Sequence, residues 1–410
     1  MNAIFNSNIK GNEEPLDCQV YDIEKCFDAL WLHEVINCLY EAGLTNDKLP
    51  LLFLENNNAQ VAIKTNGGLS NRVNIKDIIM QGSVWGSLSC VVLMDKLGKL
   101  VYSKPDLMYY YKGVVGTPPL QMVDDVMAIQ KCSMKSLQLN TAINTFIELE
   151  KLTLSKKKCR NIHIGKQSKN CPSLKIHGSK MEDAARETYL GDLVDKSGKV
   201  KPNIEVRKAK GYGIVCEILA IVNEVPLAHW RIEAGLRLRQ AMLINGFLFN
   251  SEAWHGVSQQ DMIMLEKVDE ALLRGLLMAH SKIPLEALYM ETNSIPIRFI
   301  VSSRRILYLQ NILHRGKDEM VRKVYDAQKE DTCAGDFFEL VTEDKDSINL
   351  NISETEMTNM KKEKLKIIVK NKIRQAAFQY LKNLQNTHSK ISGINYFQIL
   401  AFILYEEPTI

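Results

Sequence analysis

The sequence lacks any apolar run near the roughly 20 residues that cross a bilayer, and its first residues lack the pattern of a secretory signal. It also lacks a CxxC pair, although it contains nine cysteines. An odd number of scattered cysteines without an export signal indicates reduced thiols, most of which would fill core space. These absences predict a soluble, intracellular protein with no membrane partner. They do not distinguish the nucleus from the cytoplasm, and they do not predict an oligomeric state.

The chain as a whole has little excess of positive over negative charge, since its net charge is only +4, but positive charge is concentrated in one segment. Residues 151–180 contain nine Lys or Arg and no Asp or Glu. Such a segment attracts a phosphate backbone, whereas the alternative is a solvated surface run without a ligand. Because the segment follows the carboxylate pattern described below, we favour binding to nucleic acid.

The first half of the chain predicts an α+β fold. Up to residue 198, short apolar or alternating segments are interleaved with helical patterns, which indicates an antiparallel sheet with packed helices. Asn66-Gly67 between β-branched residues predicts a hairpin, and residues 84–100 predict a buried helix. The segments 159–165 and 173–178 are predicted to form another hairpin.

The second half of the chain is predicted to be helical. Residues 203–314 have apolar residues at helical spacing almost throughout, so a helical domain is placed at 199–330. In the remaining region, 331–410, the polar and acidic stretch 343–356 is interpreted as a linker. A basic helix with an apolar stripe follows it. That stripe predicts packing on the preceding helices, and binding of RNA or a partner is the alternative.

Three carboxylates stand at the ends of predicted strands. Asp22 ends an alternating strand, and Asp124 and Asp125 lie at a turn within an apolar strand pattern. Hard Mg²⁺ prefers carboxylate oxygens, and two such ions can catalyse phosphoryl transfer to a nucleotide 3′ end. An empty cluster of this kind repels itself, so a fold tolerates it mainly where cations bind.

Taken singly, each of these signals has an ordinary explanation. A pair of aspartates after an apolar run is common, and an aspartate at a strand end often forms a turn or caps a helix. The combination is more specific: an aspartate ends a strand, Phe27 follows it by five residues, a Gln-Gly dipeptide opens a helix, and the aspartate pair comes last. The order favours a metal-dependent nucleotidyl transfer site.

This ordered set resembles the reverse transcriptases of non-LTR (LINE-type) retrotransposons. Five segments resemble polymerase motifs A to E in order, namely 21–30, 80–88, 120–129, 152–165 and 187–195. Further segments resemble the thumb of these enzymes, namely 243–254 and 291–315. The resemblance covers about residues 16–315 and implies a palm with a remnant of the fingers over 1–198, followed by an all-α thumb and a C-terminal helical extension.

The resemblance implies an RNA-directed DNA polymerase and gives roles to the carboxylates. Asp22 and Asp124 would be the principal ligands of two Mg²⁺ ions, with Asp125 beside them and Mn²⁺ as an alternative metal. Lys158 matches the motif D lysine that would protonate the leaving pyrophosphate, and a solvated lysine is the alternative. The partners would be an RNA template, a DNA primer and deoxynucleoside triphosphates.

Other matched residues would contact the nucleotide. The backbone around Ile23 and Glu24 would approach the triphosphate. Phe27 would be a steric gate that fills the space of a ribose 2′-OH, and a core aromatic is the alternative. Gln81 and Gly82 would lie against the template and incoming base, where a missing Cβ permits close approach.

Three residues would hold the primer strand, namely Tyr189, Leu190 and Gly191 in motif E.

The sequence departs from the family at two motifs. Met122 stands where motif C usually has an aromatic, and Val84 replaces a proline of motif B. A methionine can fill the space of an aromatic, and neither departure removes a carboxylate.

Only about twenty residues precede Asp22. Family members carry the fingers there, often with an endonuclease upstream, so we expect both to be absent from this chain. Without the basic residues of the fingers, the triphosphate loses much of its electrostatic clamp. The alternative function is therefore a catalytically inactive, truncated remnant that only binds nucleic acid.

One further constellation concerns a different metal. Cys159, His163, Cys171 and His177 stand close together in sequence. Their spacings are not those of a zinc finger, and strand alternation could bury some of them instead. Metal analysis of the purified protein distinguishes the two interpretations.

Overall fold

The computed structural model describes residues 1–11, 15–45, 47–56, 59–75, 84–165, 171–225 and 228–387. The chain divides into two compact units. The sheet unit comprises Asn8–Gly198, and the helical unit comprises Met1–Ser7 and Lys199–Ile410. Within the described ranges, no helix has the length and apolar character that a bilayer span requires.

The strands all belong to the sheet unit. They are β1 (Leu16–Tyr21), β2 (Ala59–Val61), β3 (Lys64–Thr65), β4 (Gly68–Leu69), β5 (Val73–Ile75), β6 (Tyr109–Tyr111), β7 (Val115–Thr117), β8 (Leu120–Met122), β9 (Asp125–Lys131), β10 (Arg160–Ile164), β11 (Lys175–Ile176), β12 (Ser179–Lys180), β13 (Glu182–Asp183), β14 (Arg186–Tyr189) and β15 (Asp192–Asp195). Helix α1 (Asn2–Gly11) crosses the boundary between the units. The other helices of the sheet unit are α2 (Cys26–Ala29), α3 (Leu32–Glu41), α4 (Leu49–Asn56), α5 (Val84–Tyr102) and α6 (Met134–Leu149).

The main sheet has five strands in the order β13-β10-β1-β9-β8. All its pairings are antiparallel except that of β10 with β13. The predicted hairpin around Asn66-Gly67 is confirmed by the pairing of β3 with β4. The predicted hairpin of 159–165 with 173–178 is wrong, because β10 pairs with β1 and β13 while β11 pairs with β12.

The central strand β1 is buried along its whole length. Its polar residues therefore need internal partners. The side-chain amide of Gln19 donates to the hydroxyl of Ser136 at 2.9 Å, and Asp17 accepts from the amide of Asn161 at 3.2 Å. The core between the sheet and helices α3, α5 and α6 includes Tyr21, Val35, Leu97 and Ile143.

The helical unit contains α7 (Lys201–Asn223), α8 (Ala228–Leu238), α9 (Asn245–Phe247), α10 (Gln259–Leu277), α11 (Leu285–Glu291), α12 (Ile297–Leu313), α13 (Met320–Glu330), α14 (Phe337–Ser347), α15 (Glu354–Asn359) and α16 (Lys362–Thr387). This confirms the predicted helical region. Helices α7 and α10 approach closely at two glycines. A Cβ on Gly211 would lie 2.8 Å from Val268, and one on Gly275 would lie 2.6 Å from Leu219.

The acidic stretch 343–356 is not a linker, so that prediction is wrong. It contains the end of α14 and the start of α15, and the apolar residues in and beside it, Val341, Leu350 and Met357, are buried in one core cluster. The predicted packing of the basic helix is confirmed, because Leu365 and Ile373 of α16 are buried in the same cluster. Glu343, Asp346 and Glu356 are exposed, whereas Asp344 is buried and pairs with Arg305 at 3.1 Å. Composition alone indicated a linker because it does not distinguish buried from exposed acidic residues.

Candidate active site

The carboxylates are brought together by the pairing of two central strands. Tyr21 at the end of β1 is opposite Val126 near the start of β9. Asp22 therefore lies one residue beyond its strand, and Asp125 lies one residue before Val126, at the same end of the sheet. Asp124 lies in the turn that precedes Asp125. Antiparallel pairing thus brings together aspartates that are about 100 positions apart in the sequence.

A tight turn between β8 and β9 carries the aspartate pair. Met122 pairs with Asp125, so only Val123 and Asp124 form the turn. Val123 has a φ of +60°, in the left-handed region that β-branched residues rarely adopt. Its side chain packs against the core of the sheet unit. Strain of this kind is concentrated at functional sites, and packing keeps it in place.

The carboxylates influence one another. The pKa of Asp125 is raised by partial burial and by the charges of Asp124 and Asp22, while Lys158 opposes the shift. Negative charge is therefore concentrated at this end of the sheet, as expected where cations bind. The ligand oxygens of the three aspartates do not all lie within 4.8 Å of one another; among the described residues only Cys132, His163 and Cys171 form a triplet that tight.

Lys158 contacts the cluster directly. Its ammonium nitrogen lies 3.2 Å from Oδ1 of Asp22, and its side chain is largely exposed. The loop before it is hydrogen-bonded to the backbone next to Asp22. The Ser155 N–H donates to the Asp22 carbonyl at 2.9 Å, and the Glu24 N–H donates to the Thr153 carbonyl at 2.8 Å. The position of Lys158 is thus fixed by a backbone ladder as well as by charge.

The segment after Asp22 has the geometry of a tight connection. Ile23 is buried and forms an isolated bridge with Leu154, whereas Glu24 is exposed. Lys25 has a φ of +46° and precedes the four-residue helix α2. Phe27 lies in α2, is half-buried, and packs against the core of the sheet unit. This contact supports core packing, and the role of Phe27 as a gate stays a proposal.

The predicted primer-grip residues form the end of a hairpin. Strands β14 and β15 are joined at Leu190 and Gly191, both with positive φ. The hydroxyl of Tyr189 donates to the carbonyl of Leu120 in β8 at 2.9 Å, which attaches the hairpin to the strand before the aspartate turn. The pKa of Tyr189 is raised by burial and by Asp125. Gln81 and Gly82 lie outside the described residues.

Two contributors were missed by the sequence reasoning. Cys159 is buried, its Sγ lies 3.3 Å from the backbone nitrogen of Asp22, and burial raises its pKa to about 11. Tyr21 accepts a hydrogen bond from Asn140 at 2.9 Å and donates one to Gln19. Both support the backbone that carries Asp22. The alternation of polar residues along a buried strand could have indicated the role of Tyr21. No feature of the sequence indicated the role of Cys159.

The proposed zinc group of four residues does not form. Cys159 contacts Asp22, and Nε2 of His177 accepts from the Leu154 N–H at 3.2 Å. Cys171 instead forms a disulfide with Cys132, so the prediction of reduced thiols is wrong for this pair. The other seven cysteines are free, and five of them are buried.

The basic segment is partly neutralised. Arg160 pairs with Glu182 at 3.3 Å, Lys180 pairs with Asp183 at 3.0 Å, and Lys151 lies 4.3 Å from the ring centre of Trp31. The Lys180–Asp183 pair is exposed and pairs of this kind are weak, so Lys180 stays accessible to a stronger anion, whereas the Arg160 side chain is only 19% exposed. The segment keeps a net positive charge that a phosphate backbone could use.

Comparison with known proteins gives one family match. Residues 11–192 match the family described as "Reverse transcriptase (RNA-dependent DNA polymerase)". No curated protein matches the chain. Among solved structures, telomerase from Candida tropicalis in complex with a TWJ fragment of telomeric RNA matches at 13% identity and a TM-score of 0.36, over 78% of this chain and 51% of that chain. Telomerase from Candida albicans with such a fragment matches at 11% identity and a TM-score of 0.35, over 70% and 48%.

A further telomerase structure has a similarly low likeness to this chain. Apo telomerase from Candida tropicalis gives a TM-score of 0.35 at 14% identity, over 79% of this chain and 56% of that chain. The chain thus spans about half the length of the telomerases that it matches. The family match covers slightly less than half of this chain, and it includes every described residue of the carboxylate cluster. Residues 11–192 are therefore similar to a reverse transcriptase domain.

Proposed function

We propose that this chain is an RNA-directed DNA polymerase that extends a DNA 3′ end on an RNA template. The observation that carries the proposal is the meeting of Asp22, Asp124 and Asp125 at one end of two paired strands, inside the segment that matches the reverse transcriptase family. Lys158 adds a cation at the same place. The palm would be residues 1–198 and the thumb 199–330.

The donor set fits two divalent cations of the Mg²⁺ type, with Mn²⁺ as an alternative. Carboxylate oxygens are hard ligands. Burial, and then the charges of Asp124 and Asp22, raise the pKa of Asp125, and cation binding would relieve the repulsion between these charges. Such ions supply Lewis-acid stabilisation of the attacking and leaving oxygens. Lys158 would hold a proton near the leaving pyrophosphate, and the backbone at Ile23 and Glu24 would face the triphosphate.

The remaining site residues are proposed to position the substrates. Phe27 would discriminate against a ribose 2′-OH, and the hairpin tip at Tyr189, Leu190 and Gly191 would support the primer strand. Leu190 and Gly191 at that tip have positive φ, as the turn of a tight hairpin requires, and the side chain of Leu190 is exposed. Together these residues would align a primer end with the carboxylates.

Primer extension tests the proposal. On an RNA template with a DNA primer and Mg²⁺, we expect Asp124→Asn to lower the extension rate on the order of 10²–10³-fold, as loss of a preorganised charge does. Asp106→Asn, an exposed aspartate of the same unit, is the matched control. Chelation by EDTA should stop extension and added Mg²⁺ should restore it. Equal rates for wild type and Asp124→Asn would remove the polymerase proposal.

The same experiment separates the alternative function. A remnant that only binds nucleic acid would retain affinity for the primer–template without extending it. Its affinity would fall steeply with salt, because binding would depend on phosphate contacts from the basic segment. Binding without extension by wild type would therefore favour the remnant.

We further propose that the chain derives from a non-LTR retroelement. The support is the order of motifs and the resemblance of 243–254 and 291–315 to the thumb of those enzymes. Such an enzyme would extend the 3′ end of nicked duplex DNA in preference to a single-stranded end. Comparing both primers with one RNA template measures this, and a strict preference for a single-stranded end contradicts it.

A further inference from the structure

A second group of ligands lies at the opposite end of the same sheet. Cys132 directly follows β9, and its N–H donates to the Pro15 carbonyl at 2.7 Å, just before β1 begins. His163 is on β10, opposite Asp17 of β1. Asp17 and Asp22 are near opposite ends of one strand, so this group is separate from the carboxylate cluster.

The three ligand residues converge. One ligand atom from each of Cys132, His163 and Cys171 lies within 4.8 Å of the others. Cys132 and Cys171 are joined by a disulfide with Cα atoms 5.6 Å apart, although they are 39 residues apart in sequence. The pairing of β9 and β10 with β1 brings Cys132 close to His163, and Cys171 joins them from the segment between β10 and β11.

A buried carboxylate lies against the imidazole. Oδ1 of Asp17, whose side chain is fully buried, lies 2.6 Å from Nδ1 of His163. The second oxygen of Asp17 is buried and has no hydrogen-bond partner. A carboxylate on one ring nitrogen of a metal-binding histidine is the usual arrangement for fixing the ring and its tautomer. It leaves Nε2 as the ligand nitrogen.

We propose that Cys132, Cys171 and Nε2 of His163 bind a Zn²⁺ ion when the two cysteines are reduced. Two thiolates and an imidazole are a donor set that selects zinc over Mg²⁺. Water is the candidate fourth ligand, because Asp183, whose Oδ1 lies 3.2 Å from Nε2 of His163, does not belong to the group of mutually close ligand atoms. The site is structural, because it joins the ends of β9 and β10 to the segment at Cys171.

In this proposal the two cysteines either form the disulfide or bind the zinc ion, and the two states exclude each other. A dithiol reductant opens the disulfide by transferring two electrons and two protons, and becomes a disulfide itself. Zinc then displaces the two thiol protons and any proton on Nε2. In the oxidised chain the sulfurs are bonded to each other and no ion is bound. The proposal is independent of polymerase activity.

Metal analysis of the full chain tests the proposal directly. The chain is reduced, mixed with ZnCl₂ at about pH 8, since zinc binding releases protons and is favoured at higher pH, and desalted. We expect one zinc per reduced chain and none per oxidised chain. Cys132→Ser and His163→Gln should lose the ion, whereas Cys216→Ser, at an exposed free cysteine of the helical unit, should keep it.

Two further measurements guard against misfolded variants. Co²⁺ in place of Zn²⁺ should give a thiolate-to-cobalt absorption band in the reduced wild type, which requires no substitution. Asp17→Asn should weaken zinc affinity on the order of 10–100-fold while leaving both cysteines in place. A reduced wild type without zinc or cobalt absorption, or equal zinc content in Cys132→Ser, would overturn the proposal.

Discussion

The ammonium nitrogen of Lys158 lies 3.2 Å from Oδ1 of Asp22. The two residues are 136 positions apart in sequence and meet because the loop 153–159 is hydrogen-bonded to the backbone beside Asp22. The lysine therefore has two candidate roles, as a proton donor to the leaving group and as a counter-charge that keeps the carboxylate cluster together.

Substitution of Lys158 separates these roles. Lys158→Arg keeps the charge beside Asp22 but cannot release a proton, since a guanidinium stays protonated. If Lys158 is a general acid, Lys158→Arg and Lys158→Ala should both slow single-nucleotide addition on the order of 10²-fold. Single-turnover rates across pH measure this. Recovery of the wild-type rate in Lys158→Arg would leave only the electrostatic role.

Phe27 is half-buried against the core, so its substitution affects both folding and any discrimination between nucleotides. The ratio of kcat/KM for a deoxynucleotide to that for a ribonucleotide cancels the folding contribution. Phe27→Ala should lower this ratio on the order of ten- to a hundredfold, the range that steric pockets provide. Phe53→Ala, at an exposed aromatic of α4, is the control and should leave the ratio unchanged. An unchanged ratio in Phe27→Ala would assign the ring to the core alone.

Arg239 and Asp269 form a buried ion pair in the helical unit. Their side chains are 7% and 0% exposed, the nitrogen–oxygen distance is 2.6 Å, and Tyr289 donates a third hydrogen bond to the carboxylate. Asp269→Asn leaves the guanidinium buried without its charge partner and should destabilise the protein by about 3–5 kcal/mol. Urea unfolding measures it. Glu233→Gln, which breaks the exposed pair with Arg237, should cost about 0–1 kcal/mol. Similar losses in both variants would contradict the burial argument.

Asp195 makes stability of the β14–β15 hairpin depend on pH. Burial favours the neutral acid, but hydrogen bonds from Ser197 and Arg186 outweigh it and hold the pKa of Asp195 below its ordinary 3.8. The folded state therefore binds fewer protons than the unfolded state in this range. The contribution is complete above the ordinary pKa and is lost as pH falls through the lower folded pKa.

Acid unfolding of Asp195→Asn checks this dependence. The variant should lose about 1–3 kcal/mol at neutral pH, as expected for hydrogen bonds to a charged group, and its difference from wild type should shrink below about pH 4. Asp106→Asn, at an exposed aspartate, is the control. A difference from wild type that stays constant down to pH 2 would show that the charge of Asp195 is not involved.

The positions of the carboxylates could be predicted from the sequence because Asp22 follows a strand and Asp124 and Asp125 lie at a turn between strands. Antiparallel pairing then brings these positions to one end of the sheet. The turn at Val123 and Asp124 was less predictable in its detail. Valine disfavours positive φ, and only its packing against the core makes that conformation tenable. A local propensity cannot contain a contact with a distant core.

Other features depended on strand pairing that the sequence does not encode locally. β10 pairs with β1 and β13 rather than with the next apolar segment, since β1 offers a longer buried partner. The Cys132–Cys171 contact joins two residues that are 39 positions apart, and Cys171 lies outside the strands, so no local pattern predicted it. The acidic stretch 343–356 was misread because a few apolar residues, Leu350 and Met357 among them, decide its burial while charges dominate its composition.

Strand β1 connects the two ends of the main sheet. It carries Asp17 and leads directly into Asp22, and five residues of extended chain span about 17 Å. Both flanks of the strand are paired, and every residue in it is buried, so it cannot slide by one position without turning its side chains to the opposite faces. The register of β1 therefore fixes the separation between Asp22 in the carboxylate cluster and Asp17 beside His163, so a change of register would alter both ends of the sheet together.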